Sequence, residues 1–151
     1  MPVRWFVLAL AVLASGAASP ADQTQVMVPI NRFMYAMNHG DAAGAAAACA
    51  ADMSIIDPVP PYEWHGPDAC NRWLAALGAH AAANGLTEFQ ATLGAPRYFD
   101  ITGDHAYVVL PAELSYKANG KPMKEPGNTF TVALAKGGSG WQIAAWAWSK
   151  K

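Results

Sequence analysis

Apolar residues at Val26, Ile30, Phe33, Met34 and Met37 recur at three- and four-residue intervals, the spacing of one helical face. They predict a first helix over about 26–38, with Pro29 in its first turn, where a missing N–H costs little. His39-Gly40 supplies the stop, and Asp41 caps an Ala-rich second helix reaching about Ala51. Met53 to Asp57 reads as a short strand that Pro58, Pro60 and Pro61 end. Gly66-Pro67 opens a third helix whose buried stripe is Cys70, Trp73, Leu74, Leu77 and Ala81, with Asn84-Gly85 as its stop.

Beyond Gly85 the period changes toward two. Glu88 to Ile101 alternates loosely, and Gly94 and Pro96 mark a bulge or bend within it. Thr102-Gly103-Asp104 turns into a strand over 106–117, and Asn119-Gly120 is a two-residue hairpin signal. Further strands cover 128–136 and 141–149, joined by a turn at 137–140. Helices followed by a run of strands, with no helices between the late strands, predict an α+β domain. Its expected form is a curved antiparallel sheet packed on three N-terminal helices.

The N-terminus reads as an export leader, residues 1–21, ahead of a single domain over 22–151. Arg4 provides a positive start, Trp5 to Ala14 an apolar stretch, and Ser15 to Ala21 small residues suited to cleavage after Ala21. The apolar stretch is about half the length that a membrane-spanning helix needs. The expected location is periplasmic or secreted, with no stable membrane insertion after cleavage. The alternative is an uncut N-terminal anchor.

Charge narrows the partners. Ten basic residues against eleven acidic ones give a net charge of −1, and the lysines are scattered rather than gathered in a stripe. Nucleic acid is therefore not an expected partner. The two cysteines, Cys49 and Cys70, either form a disulfide in an oxidising compartment or pack as buried thiols. The four histidines are isolated and no metal-ligand spacing, phosphate loop or nucleophile motif occurs, so neither a metal nor a cofactor is expected.

The order of these elements, with the run Ala51-Asp52-Met53-Ser54-Ile55-Ile56-Asp57-Pro58-Val59 and Trp64-His65-Gly66-Pro67, resembles the nuclear transport factor 2-like superfamily. That superfamily includes ketosteroid isomerases and SnoaL-like cyclases. The resemblance implies a cone-shaped sheet around an apolar pocket and puts Asp57 at the position of the isomerases' general base. A partly buried carboxylate there suits proton transfer beside a carbonyl. The isomerases' oxyanion tyrosine corresponds to Phe33, with Tyr35 two residues on, and the run 128–134 holds no second carboxylate. Without such donors a steroid isomerase would lose several kcal/mol of transition-state stabilisation, so steroid isomerisation is not expected.

The expected pocket is lined by Phe33, Met37, Trp73 and Ile143. Trp64 and His65 stand at its mouth, or else Trp64 packs on the third helix and His65 is a solvated loop residue. Tyr35, Tyr107, Tyr116 and Glu113 are candidates for a polar patch, with a surface position as the commoner fate of a glutamate. Asp57 is either an acid/base group or a turn-forming carboxylate. By the resemblance, Ile143, Ala145 and Ala147 face the cavity, while Trp146 and Trp148 lie on the outer face of the sheet, where relatives dimerise. The leading expectation is an exported homodimer that binds a small apolar molecule. Its rivals are a cofactor-free isomerase, cyclase or dehydratase working through Asp57, and an exported protein-interaction module.

Overall fold

Ser19 opens the first helix with a reciprocal cap, its hydroxyl accepting from the Asp22 N–H while the Asp22 side chain accepts from the Ser19 N–H. This is seen in a computed structural model, which describes residues 19–151. The proposed leader lies outside those residues except for Ser19 to Ala21. With this cap, α1 spans Pro20–Asn38, and Pro29 sits in the helix interior rather than in the first turn. Among the described residues no helix is long and apolar enough to cross a membrane.

The second helix, α2 (Ala42–Ala47), is shorter than its alanine content predicts. Chain from Cys49 onward leaves it to form β1 (Cys49–Ile56), which lies parallel to the last strand, Cys49 opposite Ile143. Sheet pairing thus overrides local helix preference. The Trp-His-Gly-Pro segment is also a strand, β2 (Glu63–Pro67), antiparallel to β1 with Trp64 opposite Ile55. Pro67 is tolerated because β2 is the edge of the sheet. The third helix, α3 (Ala69–Ala83), therefore starts two residues beyond Pro67.

Gly94 and Pro96 break what would be one long strand into β3 (Leu86–Leu93) and β4 (Tyr98–Thr102). Both pair with β5 (His105–Ala118), at opposite ends of it. Asn119 and Gly120, both at positive φ, turn β5 into β6 (Lys121–Gly137), and β7 (Gly140–Ser149) closes the chain. The sheet order is β2-β1-β7-β6-β5-β3, with β4 beside β5. The predicted α+β class holds. The sheet, however, is mixed: it is curved and unclosed, and the β1–β7 pair is parallel, because the chain enters the sheet next to its own last strand.

Two bulges decide which side chains face the helices. In β7, Leu134 is opposite Ile143 but Ala133 is opposite Ala145, so Ala144 is the extra residue. Ile143, Trp146 and Trp148 thereby share the inner face. In β6, Ala112 is opposite Asn128 but Leu114 is opposite Glu125, so Pro126 and Gly127 together oppose Glu113 alone. Gly127, at φ +82°, accommodates the kink. The step turns Glu125 to the inner face that Phe130, Val132 and Leu134 share. Those three side chains, with Val26, Ile30 and Phe33 of α1 and Val108 and Leu110 of β5, form the buried core.

Candidate functional site

Between the helices and the inner face of the sheet lies a cavity of about 240 Å³. Phe33, Met37 and Trp73 wall it from the helices, and Phe89, Phe130, Trp146 and Trp148 from the strands. Trp73 and Trp146 are almost wholly buried and meet edge to face, and Phe33 lies about 6 Å from each. The wall is aromatic because one face of α1, one face of α3 and the bulge-shifted face of β7 converge on it.

Asp57 brings a carboxyl to this apolar wall. It directly follows β1, where its N–H donates to the Tyr62 carbonyl at 3.0 Å and its Oδ1 accepts from the Val59 N–H at 2.9 Å. The turn-forming role and the cavity position thus coexist in one side chain. Burial raises its pKa above the ordinary carboxylate value. The Val59 N–H, the Trp73 indole, and the charges of Lys150 and His80 oppose that rise without cancelling it. The Trp73 indole N–H stands on the carboxylate's side yet reaches no hydrogen-bonding geometry.

A second polar group sits on the strand wall. Glu125 Oε1 accepts from the Tyr116 hydroxyl at 2.9 Å and from Lys150 Nζ at 3.1 Å. All three residues line the cavity. The bond to Glu125, aided by burial, raises the Tyr116 pKa. The strand expected over 128–136 begins at Lys121, and the bulge turns Glu125 inward. Pro126-Gly127 inside a strand is the sequence signal for that bulge.

Of the residues nominated from sequence, Asp57, Phe33, Met37, Trp73 and Tyr116 come together at the cavity. Tyr35 does not: it is 66% exposed and stacks on His39, with ring centroids 4.0 Å apart, because two residues along a helix is more than half a turn from Phe33. Trp64 is buried in the core, on the strand that packs against α3. His65 is exposed beside Ser54 and Glu63. Glu113 lies on the opposite face of β5 from Leu114, pairs with Lys124 at 3.5 Å, and is no part of the cavity wall. Tyr107 is likewise outside, against Tyr98. Ile143 is fully buried in the core but does not line the cavity.

Trp146 and Trp148 require the largest correction. Both line the cavity, where an outer-face position was expected, because the bulge at Ala144 inverts the alternation along β7. Ala145 and Ala147 take the outer positions. Cys49 and Cys70 are joined in a disulfide, linking the start of β1 to the first turn of α3, with Cα atoms 6.5 Å apart. Among the described residues no group of three His, Cys, Asp or Glu side chains gathers as a metal site.

This arrangement of helices, curved sheet and apolar cavity is that of a known class. A model of the SnoaL-like domain matches residues 30–137, and the chain belongs to that family. Solved structures, nuclear transport factor 2-like proteins among them, resemble it over most of its length. One from Salmonella enterica serovar Typhimurium has a TM-score of 0.71 at 16% identity, covering 85% of this chain and 89% of that one. Aln2 from a Streptomyces species gives 0.70 at 17% identity, covering 89% and 94%. A nuclear transport factor 2-like protein from Pseudomonas putida gives 0.67 at 19% identity, covering 89% of each. At these identities the likeness is one of fold. No curated protein matches the chain in sequence.

Proposed function

We propose that this protein binds a small, mostly apolar molecule in the cavity between its helices and sheet. The observation that carries the reading is a cavity of about 240 Å³ walled by aromatic side chains, with the Asp57 carboxyl set among them. Such a composition, apolar walls with few polar groups, is that of ligand sites in general. At the close packing of protein interiors, the space suits roughly ten to twelve non-hydrogen atoms. A panel of one- and two-ring apolar compounds tests this by thermal shift: at least one should raise Tm in proportion to the logarithm of its concentration. A flat response across the panel removes the reading.

The raised pKa of Asp57 favours a second reading, a cofactor-free isomerase, cyclase or dehydratase in which Asp57 moves a proton. Asp57→Asn should then fold and bind but lose turnover, and equal turnover in both proteins takes Asp57 out of the reaction.

The leader-like N-terminus and the Cys49–Cys70 disulfide support a periplasmic or secreted location. A homodimer is part of the same proposal, now through a different surface. Tyr98, Val109, Thr131, Ala147 and Ile56 are paired in one row across β4, β5, β6, β7 and β1. Tyr98 and Ile56, at the ends of that row, are exposed apolar side chains. Ala147→Glu should leave the fold intact and give a monomer in sedimentation, and a monomeric wild type overturns the dimer.

A further inference from the structure

A second apolar space adjoins the cavity. It is a surface trough of about 270 Å³ between the corner that joins α1 to α2, at Gly40 and Asp41, and the Leu74, Gly78 and Ala81 face of α3. Met37, Leu77 and Phe89 line both the trough and the cavity, so these three residues are the boundary between them. Phe89 is held by stacking on Tyr116, ring centroids 5.6 Å apart. Met37 and Leu77 are half-buried aliphatic side chains. Methionine, unbranched and with three rotatable bonds, adapts readily to what packs beside it. Asp41 brings a carboxylate to the trough, but that group caps α2 and accepts from the Gly44 N–H at 2.8 Å. What the trough offers a ligand is therefore apolar contact.

Gly78 lines the trough from the interior of α3, where glycine is the poorest helix former after proline. Among the described residues nothing lies within 4 Å of the point where its Cβ would stand, and its backbone is helical. Neither a tight contact nor a left-handed backbone calls for glycine there; an open trough does. A side chain at 78 would lean toward the preceding turn, over Leu74, and fill that space. We propose that the trough is a tail subsite. The protein takes an elongated ligand whose compact head lies in the cavity and whose unbranched alkyl chain passes between Met37 and Leu77 to lie along Gly78. This rests on the small-molecule reading above and gives the ligand a shape. Rotation of two aliphatic side chains admits a chain one methylene wide, whereas a fused ring would require the elements on either side to part. The cavity and trough together give roughly twice the room of the cavity alone.

The 4-alkylphenols from methyl to octyl keep one head and vary only the tail. At the packing density of protein interiors, the cavity alone holds the head with a tail of about four carbons. Calorimetric titration of the full chain, with each phenol kept below its aggregation limit, should show affinity rising about fourfold per methylene from butyl to octyl, the effect of burying one such group. In Gly78→Leu the rise should stop at butyl, with the methyl to butyl compounds binding within about twofold of the wild type. Leucine is the better helix former, so this variant should unfold no earlier in urea than the wild type. Affinity that levels off at butyl in the wild type overturns the tail subsite and leaves the apolar-cavity reading in place. An equal rise to octyl in Gly78→Leu, or an equal loss at every length, also overturns the subsite. No binding of any phenol in the series overturns both.

Discussion

Trp146 packs edge to face on Trp73, ring centroids 4.7 Å apart, and so ties the last strand to the third helix across the cavity. Phe33 and Phe130 complete the contact, Phe130 lying 5.7 Å from Trp146 and 6.3 Å from Phe33. Elements remote in sequence thereby share one aromatic cluster. The same cluster is both a piece of the core and a wall of the binding space.

Trp146→Ala should accordingly destabilise the fold by about 3–5 kcal/mol, the range for emptying a buried large aromatic site. Tyr35→Ala, at an exposed position on α1 outside the cavity, should cost well under half as much. Urea unfolding of both variants gives the comparison. Equal losses would mean that Trp146 does not hold the two layers together.

Asp57 makes stability depend on pH in a definite direction. Its pKa in the folded protein is raised by burial, so the folded state holds the proton more tightly than the unfolded chain does. The resulting contribution to stability is present in full below the ordinary value of 3.8 and is lost as pH rises through the folded-state value. Asp57→Asn, which keeps an oxygen for the Val59 N–H, should therefore raise Tm near neutral pH. That gain should shrink to nothing as the pH falls below the ordinary carboxylate range. Melting curves of both proteins across pH test this, and a gain independent of pH would assign it to packing.

The fold was legible because its signals are local. Phe33 and Met37 repeat at helical spacing, Asn119-Gly120 forces a hairpin, and Gly94 with Pro96 breaks a strand. The cavity was legible only in part, because its strand side is set by two bulges. With Ile143 turned inward by the resemblance, alternation along β7 puts Trp146 and Trp148 on the outer face until Ala144 is counted as an extra residue. Likewise Glu125 enters the cavity only once Pro126 and Gly127 are taken as a bulge inside β6. Register is a property of the paired strands, and a single inserted residue moves every later side chain to the other face. Cys49 shows the same limit from another side, since an alanine-rich context favours a helix that pairing with β7 prevents.

Tyr35 and His65 were attractive from sequence and lie outside the cavity. Tyr35→Ala and His65→Ala should leave the affinity for an apolar probe within about twofold of the wild type, since neither removes a wall contact. Trp73→Ala should abolish measurable binding. Loss of binding in Tyr35→Ala at unchanged stability would mean that the ligand extends beyond the cavity along α1.

The Cys49–Cys70 disulfide closes a segment with a sequence separation of 21. Chain-entropy arguments give such a bridge about 3 kcal/mol of stabilisation through the unfolded state. Its position adds a second effect. Cys49 begins β1, which Asp57 directly follows, while Cys70 stands one turn ahead of Trp73 on α3. The bridge therefore ties together the two elements that hold Asp57 and Trp73 against each other. The double variant Cys49→Ala/Cys70→Ala should lower the urea midpoint by the equivalent of that energy. It should also weaken apolar-probe binding even where the protein remains folded, because α3 is then free to shift relative to β1. Reduced stability with unchanged affinity would confine the bridge to its effect on the unfolded chain.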